Sequence, residues 1–315
     1  MRMRLDTLFV CGLDFFVRSN VPRILMYHGI APSAPRFLNH RHISPAIFEQ
    51  HLIFLKKKTT IITLEDFYDG SFDPTIKNTV LTFDDGYLNN LTFALPLLEK
   101  HKVPAYFFVT GLNQTDRRIL WSDLHDLLAA DGQTNRLDTP IGFFYKRGNG
   151  YKPFVSGDGT NLHDYLKSLD FNGKYEVLNT SRMNELLTDP SFFYYWKLLS
   201  DEEIKQLDQS PFAYVGSHGF YHNNLGTIQE VDAQDELFSS KNYLESLLGR
   251  KVTSIAYPDG SYGKHTVHLA SELGYTHQLA VNYLRKEHMH MPHLRDRVGL
   301  YDYETLSMQK YKMIR

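Results

Sequence analysis

Cysteine is almost missing from this chain. Cys11 is the only one in 315 residues, which excludes an intrachain disulfide and suits a reducing compartment. An excess of either charge is missing too. With 34 Lys and Arg against 36 Asp and Glu the net charge is −2, so there is no basic field to hold nucleic acid or an anionic membrane surface. No run approaches the roughly 18 apolar residues of a membrane span. The N-terminus, Met1-Arg2-Met3-Arg4 and then Leu8-Phe9-Val10-Cys11-Gly12-Leu13, lacks the length and the small-residue cleavage site of a signal peptide, and Asp6 and Asp14 bracket it. Bulky Val10 before Cys11 departs from a lipoprotein box as well. These absences point to the cytoplasm, with a periplasmic or membrane-associated location as the alternative.

What is present describes a globular enzyme. Hydrophobic residues make up 42% and charged residues 22%, ordinary proportions for a folded domain. Short apolar runs at 24–27, 60–64, 79–83, 105–109, 212–215, 254–257, 277–281 and 297–300 read as buried strands. Amphipathic helical patterns lie between many of them. One starts at Ser44-Pro45, an N-cap followed by proline in the first turn; others cover 89–100, with Pro96 as a kink, 228–248 and 264–273. Strands alternating with helices predict an α/β fold with a parallel sheet, and eight such runs suit a barrel better than an open sheet. Residues 113–200 break the alternation: Trp121 to Leu128 looks helical, and Gly148, Gly150, Gly157 and Gly159 sit among polar residues. This stretch is expected to be a helical and irregular insertion packed over one barrel face, within a single domain spanning 1–315.

The chemistry is concentrated at strand ends. The run Val80-Leu81-Thr82-Phe83 finishes in Asp84-Asp85-Gly86, two adjacent carboxylates whose mutual repulsion calls for a positive neighbour. Ser217-His218-Gly219-Phe220-Tyr221-His222 supplies two imidazoles four residues apart. Two histidines and one carboxylate can hold Zn²⁺, or Co²⁺, Ni²⁺, Fe²⁺ or Mn²⁺, with positions left open for water and substrate. The second aspartate is then free to act as a general base. Aromatic residues reach 14%, and Tyr87, Tyr221, Tyr257, Tyr262 and Trp121, all near these segments, are candidates for stacking on a sugar ring.

Thr82-Phe83-Asp84-Asp85-Gly86 and His218-Gly219-Phe220-Tyr221-His222 resemble the first two motifs of the polysaccharide deacetylases, the NodB-homology carbohydrate esterases, and Ala256-Tyr257-Pro258-Asp259-Gly260 resembles their third. The resemblance covers roughly residues 24–300 without the insertion. It implies a distorted (β/α)7 barrel, a divalent metal and hydrolysis of an N-acetyl or O-acetyl group on a sugar. Carried over by position, Asp84 is the base, Asp85, His218 and His222 are the metal ligands, and the backbone N–H of Asp259 helps hold the oxyanion; of the nearby aromatics, Tyr257 and Tyr87 are the expected substrate contacts. Two departures stand out. Ala256 occupies the place of an arginine that pairs with the base, and no Leu-x-His motif supplies the late histidine. Leu25-Met26-Tyr27-His28 resembles the Met-Tyr-His segment of a subgroup whose barrel order looks permuted, which makes His28 the expected general acid. Arg297, with Arg295 in reserve, is the expected replacement arginine. Two rival readings remain at this level: an inactive barrel that binds saccharide, and a metal amidohydrolase of a small non-sugar amide.

Overall fold

The computed structural model describes residues 21–32, 40–146, 154–282 and 286–315. The N-terminal stretch with Cys11, and Gly148 and Gly150 of the insertion, lie outside the described residues.

Nine strands form the main sheet: β1 (Arg23–Tyr27), β2 (Thr60–Ile61), β3 (Asn78–Phe83), β4 (Ala105–Val109), β5 (Ala213–Ser217), β6 (Ser254–Ala256), β7 (His277–Leu279), β8 (Leu294–Arg295) and β9 (Val298–Gly299). Their order is β8-β7-β6-β5-β4-β3-β1-β9, with β2 alongside the start of β3, and every pairing is parallel. The two end strands are halves of one extended segment. β8 pairs with β7 and β9 pairs with β1, so the chain from 294 to 299 closes the sheet on itself into a distorted seven-membered ring. This is the α/β barrel expected from the strand count and the (β/α)7 arrangement implied by the motifs.

The expected strand at 297–300 is thus split, because Asp296 and Arg297 leave the ladder. The run at 60–64 keeps only two strand residues. Thr63 caps a helical turn, Leu64–Asp69, in a reciprocal capping box with Asp66, and that local hydrogen bonding outcompetes extension.

Helices among the described residues include α1 (Pro45–Lys58), α2 (Leu95–His101), α3 (Trp121–Ala130), α4 (Leu162–Lys167), α5 (Asp201–Asp208), α6 (Glu230–Leu248), α7 (Lys264–Glu272) and α8 (Leu306–Ile314). Ser44 accepts the Ile47 N–H at the start of α1, with Pro45 in the first turn. Pro96 lies inside one helical run from 88 to 101, and the turn before it, Asn90–Ala94, is widened to a π-helical turn where the proline removes an i→i−4 bond.

Side chains alternate across the sheet. Leu25, Tyr27, Leu81, Phe83, Phe107 and Val215 pack outward in the large core shared with the helices. Ile24, Val80, Tyr106, Phe108, Ala256 and Leu279 form a separate buried cluster on the inner face. The insertion builds a third core of its own around Trp121, Leu124, Leu128, Phe144, Phe154 and Leu166. It is tied back to the barrel where Leu199 N–H donates to Gly86 O and Leu88 N–H to Lys197 O. Among the described residues no helix is long and apolar enough to cross a membrane.

Candidate active site

β3 is buried along its whole length, as a strand covered on both faces must be. Its parity sends Phe83 outward and Asp84 inward, at the end of the strand. Asp85 then turns at φ 76° and Gly86 at φ 77°. Two successive left-handed residues bring both carboxylates to the barrel mouth. Glycine is required second, because a Cβ there would sit 3.0 Å from Val109.

Asp84 is buried and gripped by Arg297, whose Nη1 and Nη2 each lie 2.7 Å from a different carboxylate oxygen. Arg297 also donates to Thr82 Oγ1 (3.2 Å) and, through Nε, to Ala280 O (3.3 Å). Burial by itself would raise Asp84. The guanidinium and then His218 outweigh it and hold the carboxyl below its ordinary value, so Asp84 is ionised at neutral pH. The arginine missing from position 256 is therefore present in space, delivered by the break between β8 and β9. Arg295 is elsewhere: it donates to the carbonyls of Met291 and Leu294 and lies over the Phe67 and Tyr68 rings.

Asp85 faces two imidazoles. Its Oδ1 lies 3.4 Å from His218 Nε2 and 3.2 Å from His222 Nε2. One ligand atom from each of the three residues fits within a mutual distance of 4.8 Å. His218 Nδ1 is 2.8 Å from the carbonyl of Ala256. A carbonyl can only accept, so Nδ1 carries a proton, and Nε2, which faces Asp85, is the ring nitrogen left for a metal. Asp85 Oδ2 is buried and without a hydrogen-bond partner. Burial would raise Asp85, yet the bonds to His218 and His222 bring it well below the usual carboxylate range. An ionised carboxylate, two imidazole nitrogens aimed at it and a buried oxygen without a hydrogen-bond partner fit a divalent cation.

His28, just beyond β1, lines the same cavity, and its Nδ1 is buried without a partner. Burial pulls the imidazole down to about 4 against the charges of Asp85 and Asp84. Asp259 also lines the cavity, in left-handed backbone at φ 55°; its carboxylate pairs with Lys167 (2.6 Å) and accepts from Asn224 (3.0 Å).

The expected sugar contacts divide. Trp121 lines the cavity, but Tyr87, Tyr257, Tyr221 and Tyr262 are not among its walls. Tyr257 has the opposite strand parity to inward Ala256, so its hydroxyl donates to Gln278 Oε1 (2.6 Å) and its ring stacks on Tyr262 in the core. Tyr87 is fully buried with its hydroxyl on Asp123 (2.8 Å). Tyr221 rests against Phe171 and Phe220, and Tyr262 is buried with its hydroxyl 3.0 Å from His288 Nδ1. In their place stand Tyr301 and Tyr303, stacked at 5.5 Å and 9°.

Arg41 is another residue the motifs did not reveal. It donates to Asp123 Oδ1 (2.8 Å) and lies 3.8 Å from Asp85 Oδ2. Burial, and after it the Asp85 charge, push Asp123 up against the pull of the Arg41 guanidinium 2.8 Å away.

A parallel barrel carrying this aspartate–histidine mouth matches the class the motifs implied. A model of the polysaccharide deacetylase family matches residues 72–136 and 158–277, more than half of the chain, and the chain belongs to that family. The match runs through much of the insertion, further than the motifs alone reached, while His28 and Arg297 lie outside it. YxkH of Bacillus subtilis (strain 168), which bears a polysaccharide deacetylase name, is 20% identical over 261 residues. That is 80% of this chain and 61% of YxkH, so the chain spans about three fifths of that relative's length. The Streptococcus pyogenes deacetylase PplD, solved with acetate, shares the fold with a TM-score of 0.60 and 18% identity, over 93% of this chain and 98% of PplD. IcaB from Ammonifex degensii does so at 0.56 and 18%, over 93% and 97%, and a de-N-acetylase from Aggregatibacter actinomycetemcomitans at 0.55 and 16%, over 92% and 99%.

Proposed function

We propose that the protein is a metal-dependent hydrolase that removes acetyl groups from N-acetylated, or O-acetylated, sugars of a poly- or oligosaccharide or its precursor. The observation that carries this reading is Asp84: a buried, ionised carboxylate aimed by a bidentate arginine, one peptide away from a carboxylate that faces two imidazoles. Asp85, His218 and His222 would hold the ion, with Zn²⁺ first and Co²⁺, Ni²⁺, Fe²⁺ or Mn²⁺ as alternatives; bound there, it would polarise the acetyl carbonyl and bring the pKa of a water toward about 7.

The chain's own residues do the rest. Asp84 takes a proton from the attacking water, whose oxygen bonds to the acetyl carbon. The backbone N–H of Asp259 meets the negative oxygen that develops. The carbon–nitrogen bond breaks with its electrons passing to nitrogen, and His28 delivers the proton that completes the amine. Because His28 starts neutral at pH 7, it must first receive that proton. The one collected by Asp84 on the same wall is the available source, and the balance is one water consumed for one acetate and one amine.

Acetate release from N-acetylglucosamine oligomers tests this. Metal-loaded protein is expected to release acetate, to stop after chelation and to recover with Zn²⁺. Asp84→Asn is expected to lose about 10²–10⁴-fold in kcat with its circular dichroism unchanged. Undiminished turnover in that variant removes Asp84 as the base, and undiminished turnover in His28→Ala removes His28 as the donor.

A further inference from the structure

The backbone of Asp259, in the loop after β6, is left-handed at φ 55° and ψ 17°. Such angles are uncommon for a residue with a side chain. They matter here because rotation about φ turns the Pro258–Asp259 peptide and re-aims its N–H. Two donors hold the side chain. Asn224 Nδ2 donates to Asp259 Oδ2 at 3.0 Å, and Lys167 Nζ lies 2.6 Å from the same oxygen. Lys167 and Asp259 both line the site cavity, which has a volume of about 540 Å³.

The first donor belongs to the loop that carries the histidines. Asn224 lies two residues after His222, and Asn223 between them is held twice. Its N–H donates to Glu236 Oε1 (2.7 Å), and its Oδ1 accepts from Lys174 Nζ (3.0 Å). Lys174 stands on the insertion helix Phe171–Leu178 and is 1% exposed, a burial that lysine tolerates only when its ammonium is paired. The second donor, Lys167, ends α4 of the same insertion. Two insertion helices therefore each send a lysine to a barrel loop, and His222 and Asp259 sit at the two ends of one chain of contacts. The Lys167–Asp259 pair is partly exposed on both sides, so it adds little to stability. Its consequence is where it keeps the Asp259 backbone.

We propose that Lys167 is a positioning residue for the reaction: reaching over from the insertion, it acts through the Asp259 carboxylate to aim the Asp259 N–H at the oxyanion. The insertion is then a working part of the active site as well as a wall beside it. This inference rests on the function proposed above.

The experiment measures acetate release from N-acetylglucosamine oligomers by zinc-loaded wild type, Lys167→Met, Lys167→Arg, Asp259→Gly and the double variant Lys167→Met with Asp259→Gly. Crystals of zinc-loaded Lys167→Met are solved alongside. Lys167→Met is expected to lose about tenfold in kcat, short of the roughly 10²–10³-fold that losing an oxyanion donor outright costs, with little change in KM. Lys167→Arg keeps a cation on Asp259 and is expected to recover most of that loss. With Asp259→Gly already in place, Lys167→Met is expected to cost nothing more. In the crystals, residues 258–261 are expected to leave their present course. The same tenfold fall in the Asp259→Gly background overturns the proposal, because Lys167 would then act without the carboxylate. So does an unchanged kcat, with or without a higher KM, and so does an unmoved 258–261 loop. If the wild type releases no acetate, a displaced loop in Lys167→Met supports the hold of Lys167 on Asp259 and removes the hydrolytic reading. No acetate and an unmoved loop overturn both.

Discussion

Among the described residues Arg297 is one of the largest fully buried side chains, and it is charged. Such a residue is tolerated only when paired and fully hydrogen-bonded, and the two 2.7 Å contacts to Asp84 meet that condition. Its removal strands a buried carboxylate. Arg297→Met is expected to lose roughly 3–5 kcal/mol of stability in urea unfolding, whereas the double variant Arg297→Met with Asp84→Leu recovers most of it, since two apolar groups leave no uncompensated charge. A double variant no more stable than the single one would show that Arg297 acts through something other than Asp84. Lysine is a poor substitute, because one ammonium cannot reproduce a planar two-point grip. Arg297→Lys is expected to lower kcat with little change in KM, as a group acting through the base rather than on the substrate should.

At the scale of elements, the loop carrying both histidines is held from α6. Glu236 is buried and accepts the N–H groups of Tyr221 (2.6 Å) and Asn223 (2.7 Å), on either side of His222. His222 itself sits in left-handed backbone at φ 57°, a conformation that costs of order 1 kcal/mol and needs outside support. Glu236→Ala is expected to weaken divalent-metal affinity by about 10–100-fold, the usual effect of losing a group that orients a ligand. Competition with a chelator measures it, and unchanged affinity would mean the loop holds its shape unaided.

A second element-scale link joins α1 to α8 through His51. Its Nε2 donates to Gln309 Oε1 (3.0 Å), which leaves Nδ1 to face the Tyr27 hydroxyl (3.3 Å). Burial lowers His51 from 6.5 to about 4. The unfolded chain then binds the proton first, so the stability from the neutral imidazole is complete above pH 6.5 and is lost as pH falls toward 4. Between pH 7 and 5 that amounts to roughly 2 kcal/mol. Urea unfolding at the two pH values is expected to show a larger fall for the wild type than for His51→Gln. Equal falls would exclude His51 as a source of acid sensitivity.

Across the whole molecule, the barrel was legible because a buried parallel strand needs an unbroken apolar run, and 79–83 and 105–109 are such runs. Asp84, Asp85, His218 and His222 were legible because their spacing is short and their chemistry unusual. Arg297 and His28 were visible only as replacements for missing motif residues. They come from opposite ends of the chain and meet because β9 pairs with β1, a closure that local sequence does not announce. Tyr257 was misplaced by one residue of strand parity, and Tyr87 by a hydrogen bond to an insertion residue 36 positions away. Arg41 carries no local signal, since its partners Asp123 and Asp126 lie on an insertion helix more than 80 residues on.

All of this depends on one ion in one place. Crystals of the zinc-loaded protein, with data collected at the zinc absorption edge, test it most directly. The account predicts a single strong anomalous peak within bonding distance of Asp85, His218 Nε2 and His222 Nε2, with Asp84 outside the coordination sphere and still on Arg297. A peak ligated by Asp84 in place of Asp85, or no peak at this triad in zinc-saturated crystals, would contradict it.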